Sequence, residues 1–252
     1  MLIITADDWG KNAAATDRGL TCFRSGRITS VSAMVFMRDS ERAAGLALEA
    51  GVEAGLHLNF STPFDGAAVP DRLLAHQSRL ASFLERSRFA PVVYNPFLRN
   101  EFEYVCRAQH EEFARLYGAG PAHFNGHRHK HLCMNVLMGG LIARGSKVRR
   151  TFTFHSGEKN ALNLMYRRLI DRMVERRYVC TDAFFSVAPV DGRDRLRRIV
   201  SLSAESAVEL MVHPERDEER DFLMRDEYLE IISRVRTGNY GLLHQAGNGG
   251  KR

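Results

Sequence analysis

The chain has 252 residues, with 44% hydrophobic and 26% charged side chains, enough for one large α/β domain with its own core. No apolar run approaches the roughly 18 residues of a membrane span, and the opening MLIITADDWG lacks a basic n-region and places two carboxylates where a signal peptide would stay apolar. The formal charge of +6 is carried mostly by arginine, and with no nucleic-acid motif beside it this reads as a mildly basic surface without a specific nucleic-acid partner.

Strand and helix patterns then alternate along the chain. Residues 2–6 form a short apolar run that predicts a buried strand, and 11–25 read as a helix closed by Gly26. Residues 28–36 are rich in strand formers, 41–50 make an Ala/Leu helix stopped by Gly51, and 54–60 predict a third strand. Residues 61–96 carry scattered Pro and Gly with no clean period. Such a stretch is long for a plain loop, so short helices covering a site are expected, with Phe64 or Tyr94 as an aromatic contact. A long helix is predicted over 97–117, ended by Gly118, Gly120 and Pro121, and a fourth strand opens at His123. Further strands are expected at 148–154, 179–187, 207–212 and 240–243, with helices at 162–176, 193–202 and 226–235. This alternation argues for a parallel sheet, and the count of strands favours a barrel-like closure. Nothing divides the chain, so one domain is expected over 1–245, followed by a disordered Gly-rich tail, 246–252. The cysteines at 22, 106, 133 and 180 have no CxxC spacing and read as free thiols in a reducing cytoplasm.

Polar residues fall at the ends of these strands. Asp7 and Asp8 follow the first strand, His57 sits in the third, His127, His129 and His131 follow the fourth, and His213 ends the strand at 207–212. In a parallel barrel the C-terminal strand ends meet on one face, so separate strands would deliver carboxylates and imidazoles to one mouth. Adjacent carboxylates repel, and a bound cation would offset that cost; the alternative is that Asp8 caps the next helix. His57 alone reads more readily as a hydrogen-bonded core residue than as a ligand. The three alternating histidines suit a divalent metal whether the chain stays extended or turns helical after Gly126; the alternative is a basic patch shared with Arg128 and Lys130. His213 is a candidate acid or base.

Several segments resemble a known family. Thr5-Ala6-Asp7-Asp8-Trp9-Gly10, Gly55-Leu56-His57-Leu58, the run Asn125 to His131, and the stretch Val208 to Pro214 with Glu209 are similar, in matching order, to the motifs of YdjC-like carbohydrate deacetylases. The resemblance implies an irregular (β/α) barrel related to polysaccharide deacetylases. It also implies removal of an acetyl group from an N-acetylated sugar or oligosaccharide. Asp8, His57 and His127 would hold one divalent metal, Mg2+ or Zn2+. Asp7 would be the general base and His213 the general acid for the leaving amine. Trp9, Asn125, His129, His131 and Arg150 are expected near the substrate or behind the ligands. The chain departs from the family pattern at Asn125, where an Asp is usual, at Gly126, where a Ser is usual, and at Trp9, where a Phe is usual. The competing readings are a metal-dependent hydrolase of another amide or ester, and a degenerate metal- or nucleic-acid-binding protein. A homodimer is left open.

Overall fold

The structure is a computed structural model, and it describes residues 1–154, 158, 160–190 and 193–243. Its centre is the strand β1 (Leu2–Trp9), buried along its whole length. A central parallel strand is covered on both faces, which is why the run Leu-Ile-Ile needs no alternation with polar residues. Six further strands follow: β2 (Ser30–Ala33), β3 (Glu53–Leu58), β4 (Phe124–Gly126), β5 (Ala183–Ser186), β6 (Val208–Val212) and β7 (Thr237–Gly238). The sheet order is β4-β3-β2-β1-β6-β5, with β7 also pairing with β1, and every pairing is parallel. The sheet curls into an incomplete barrel. Residues 146–153 cross between its two edges: the Arg149 N–H donates to the Phe124 carbonyl and the Thr153 N–H to the Phe184 carbonyl.

Helices pack outside this sheet. They are α1 (Ala13–Arg24), α2 (Ser40–Ala50), α3 (Asp71–Glu85), α4 (Arg99–Tyr117), α5 (Met134–Gly139), α6 (Ala161–Glu175), α7 (Arg193–Leu202), α8 (Asp217–Leu223) and α9 (Asp226–Ile232). α1 starts at Asn12, whose side-chain oxygen accepts the Ala15 N–H at 2.9 Å. The cap is therefore Asn12 and not Asp8, which leaves the Asp8 carboxylate for other work. α4 stops at Gly118, whose φ of 70° suits glycine.

Several expected elements differ. The second strand is confined to Ser30–Ala33. Residues 148–154 join the sheet only through isolated bridges and single hydrogen bonds. The segment 240–242 is a 3-10 turn, and the last strand lies just before it. Residues 61–96 contain the 15-residue helix α3, packed on α4. The tail expected at 246–252 lies outside the described residues. Among the described residues, no helix is long and apolar enough to cross a membrane.

Candidate active site

The site begins with a break in β1. The register of β1 against β2 advances by three residues on one strand and two on the other between Ala6 and Trp9, which is a bulge. Asp8 sits in that bulge with a left-handed φ of 63°. An aspartate tolerates this conformation better than most residues, at a modest cost. The result is that consecutive side chains, Asp7 and Asp8, both face the C-terminal mouth of the barrel, where strict alternation would have turned one away.

Histidines from two neighbouring strand ends meet Asp8. His57 Nε2 lies 3.3 Å from Asp8 Oδ1, and His127 Nδ1 lies 2.9 Å from the same oxygen. One ligand atom from each of the three residues falls within 4.8 Å of the others. His127 reaches this point because the chain leaves β4 in a tight turn in which Arg128 and His129 both take positive φ, 53° and 57°. Burial opposes ionisation of Asp8, but hydrogen bonds from His127 and His57 outweigh it and hold its pKa below the usual carboxylate range. Burial likewise opposes a charge on His57, yet the field of Asp7 and the bond to Asp8 raise its pKa. A pocket that draws protons onto imidazole is one whose negative field would also hold a divalent cation. Two imidazoles and a carboxylate fit such an ion, and as a donor set they favour zinc.

Behind Asp7 stands Arg149, fully buried. Its Nη1 and Nη2 donate to the two Asp7 oxygens at 2.6 and 2.8 Å, a bidentate pair. The same guanidinium donates to Glu209 Oε1 through Nε at 2.9 Å, and it lies 4.7 Å from the centre of the Phe184 ring. Tyr240 closes the network, donating its hydroxyl to Glu209 Oε2 at 2.6 Å. Burial would raise the Asp7 pKa, but Arg149 and then His57 more than offset it, so Asp7 stays ionised and able to accept a proton. The amide of Asn125 lies between these groups, 2.7 Å from His57 Nδ1, 2.7 Å from Ser32 Oγ and 2.8 Å from Arg149 Nη2. His213 follows β6, beside the end of β1, and lines the same cavity. Glu219 of α8 accepts its backbone N–H at 2.6 Å and approaches His213 Nδ1 at 3.5 Å. The cavity, of about 540 Å³, is lined by Asp7, Asp8, His57, His127, His129 and His213, together with Lys11, Met211, Glu215 and Arg216 among others.

The profile of YdjC-like proteins matches residues 1–244. The chain belongs to the YdjC-like family. It is 32% identical to a carbohydrate deacetylase of Danio rerio over 54% of this chain and 43% of that protein. It is 29% identical to a chitooligosaccharide deacetylase of Proteus mirabilis over 54% of this chain and 52% of that one. The match thus spans about half the length of these curated relatives. A solved structure from Enterococcus faecalis V583, named as a cellobiose-phosphate cleavage protein, superimposes with a TM-score of 0.70 at 18% identity, covering 95% of this chain and 97% of that one. At that identity the likeness shows the fold alone.

Within this YdjC-like chain, Asp7, Asp8, His57, His127, His129 and His213 share the cavity, and Asn125 sits directly behind His57. The others lie elsewhere. Trp9 is buried away from the mouth, donating its indole N–H to the Ala43 carbonyl and packing on Gly19. His131 supports the wall, its Nε2 lying 3.0 Å from the Arg149 carbonyl oxygen. Arg150 points outward to Asp171 and Glu175, both at 3.1 Å, because neighbours in an extended segment face opposite ways and Arg149 takes the inward position. Among the described residues lining the cavity, none comes from 61–96. Phe64 is buried against Phe36, and neither it nor Tyr94 lines the cavity. Arg149, Glu219, Tyr240 and Lys11 were missed; Arg149 lies in the short basic stretch Lys147-Val148-Arg149-Arg150, which gives no sign of which side chain turns inward.

Proposed function

We propose that this chain is a metal-dependent hydrolase that removes the acetyl group from an N-acetylated sugar or oligosaccharide. The observation that carries the reading is the convergence of Asp8, His57 and His127 on one point, in the same cavity as Asp7 and His213. The names of the relatives support it further. Asp8, His57 and His127 would hold the divalent ion, which when bound would polarise the acetyl carbonyl and ease deprotonation of water. Asp7, fixed by two bonds from Arg149, would take the proton of the attacking water as the new C–O bond forms. His213 would give a proton to the amide nitrogen as the C–N bond breaks, so acetate and a free amine leave. Base and acid would come from two neighbouring strand ends, β1 and β6, so both could serve the same reacting carbon.

The test is metal analysis of the purified protein alongside acetate release from N-acetylglucosamine and its oligomers. Acetate release that stops on chelation and returns with a divalent ion is the expected result. Full activity without metal rejects the metal role; metal bound without acetate from any N-acetylated sugar rejects the substrate class.

A further inference from the structure

We propose that Lys11 is a positioning residue that restricts Asp8 to a single ligating oxygen; this rests on the metal-dependent reading. Both candidate histidine ligands meet Asp8 at one atom. His57 Nε2 lies 3.3 Å from Asp8 Oδ1, and His127 Nδ1 lies 2.9 Å from the same oxygen. The other oxygen, Oδ2, is already taken: Lys11 Nζ donates to it at 3.3 Å. The cluster therefore offers an ion one oxygen and two nitrogens.

A turn puts Lys11 there. Gly10 follows β1 with a left-handed φ of 82°, and a Cβ at that position would come within 3.0 Å of the Met34 carbonyl oxygen. The Lys11 backbone N–H then donates to the Asp8 carbonyl at 3.1 Å, so the chain folds back over the carboxylate three residues earlier. The far side of the ammonium is held as well, donating to Glu215 Oε2 at 3.0 Å. Glu215 is itself anchored to α1. Its Oε1 accepts from Asn12 Nδ2 at 3.0 Å, and its backbone carbonyl accepts from Arg18. Lys11 and Glu215 both line the catalytic cavity. A lone surface lysine wanders among rotamers, but this side chain is only 26% exposed and lies between two carboxylates.

The consequence is chemical. An ion with three protein ligands keeps positions for water and for the acetyl oxygen. A carboxylate that turns to bind through both oxygens removes one of them. With Lys11 in place, that turn breaks a charge-assisted hydrogen bond and sets ammonium and ion in competition for Oδ2. Glu215 offsets the lysine charge, so Asp8 is held without a net cation being added beside the ion.

The experiment loads cobalt(II) into the wild type, Lys11→Met, Lys11→Arg and Glu215→Gln. It reads the visible absorption of the bound ion, which weakens as the coordination number rises, together with affinity by chelator competition and the melting temperature of each metal-free protein. Lys11→Met should absorb more weakly and bind cobalt about tenfold more tightly, since the charge and number of ligands set affinity. Lys11→Arg, which can still donate to both carboxylates, should keep the wild-type spectrum and affinity. Glu215→Gln should keep the spectrum but bind about tenfold more weakly, because the lysine charge is no longer offset. A merely structural lysine would weaken binding when removed, with the spectrum unchanged; that result, or no change in either readout, overturns the proposal. If Lys11→Met does not fold, Glu215→Gln decides: weaker binding with the wild-type spectrum supports the role, and unchanged affinity overturns it. A wild type that binds no divalent ion rejects the metal reading and this proposal with it, whereas a wild type that binds cobalt beside unchanged variants rejects the role of Lys11 alone.

Discussion

Asn125 has more donors to satisfy than an amide can manage. Ser32 and both Arg149 nitrogens face one end of it, and His57 Nδ1 faces the other. With its oxygen towards Arg149, the amide nitrogen donates to His57 Nδ1, so the imidazole carries its own proton on Nε2. That is the atom nearest Asp8 and the one that would bind the metal. Ligation then requires the amide to turn and deprive Arg149 of an acceptor. A carboxylate would accept from both neighbours at once. Asn125→Asp is therefore expected to tighten divalent-metal binding by roughly 10- to 100-fold, the usual effect of a partner behind a ligating histidine. Chelator competition measures it, and unchanged or weaker affinity rejects the argument. Asp7→Asn acts differently. It should leave metal content nearly intact and cut turnover by roughly 100-fold or more, whereas loss of metal together with turnover would make Asp7 a ligand. The roles of these side chains differ in how openly the sequence displays them. Asp7, Asp8, His57, His127 and His213 were legible because polar groups at the ends of apolar strands stand out. Arg149 was not, because an arginine next to another gives no sign of which one faces inward.

At the level of elements, β6 and α8 work as a pair. His213 leaves the strand end, and Glu219, one turn into α8, holds its backbone and stands 3.5 Å from its Nδ1. A buried carboxylate behind an imidazole fixes the orientation of the ring. Glu219 also accepts from Arg216 at 3.0 Å. His213→Ala should lower turnover of an N-acetyl sugar by roughly 100-fold but harm an activated aryl acetate far less, since that leaving group needs no proton. Glu219→Gln should show the same contrast at smaller size, about tenfold on the amide. Equal losses on both substrates, with a lower melting temperature, would mean that either residue is merely structural. Helix α8 was not anticipated from sequence, because seven residues give too little periodicity to read. α3 was anticipated only as short helices somewhere within 61–96, because its 15 residues begin after Pro70 inside a stretch of Pro and Gly that blurs any period. The central strands were legible because β1 opens on an apolar run and β6 is apolar apart from Glu209. The irregular edge at 146–153 was not, since single bridges leave no repeat in the sequence.

The whole molecule hides more charge and imidazole than its surface composition suggests. The net charge of +6 said little about function, because many arginines are matched locally, as Arg42 is by Asp17 and Asp39. The barrel interior holds the groups that will govern acid stability. His123, His129 and His131 all have pKa values pushed down, in each case chiefly by burial; the Arg149 charge adds to this for His123 and His129, while for His131, which falls to about 3, the bond to the Arg149 carbonyl opposes it. Each binds a proton in the unfolded chain below the ordinary histidine value of roughly 6.5 but not in the folded one. The unfolded state therefore gains protons as pH falls, and stability drops across the window from about 6.5 down to the folded values. His57 acts in the opposite sense. Its pKa is raised, so its contribution is complete below the unfolded value and is lost as pH rises through the folded one. Asp7 and Asp8 have lowered values, and their contribution fades only below the ordinary carboxylate range. Below about pH 6.5 the contribution of His57 is already complete while the three depressed histidines act, so the metal-free protein should lose stability on acidification. Urea unfolding at pH 7.5, 6 and 5 measures the slope. His131→Gln can still donate to the Arg149 carbonyl without titrating, so it should flatten that slope by up to about 1.4 kcal/mol per pH unit, the contribution of one proton. A wild-type stability that does not change from pH 7.5 to 5, or a variant with the same slope, would mean that these imidazoles are hydrated and titrate normally inside the barrel.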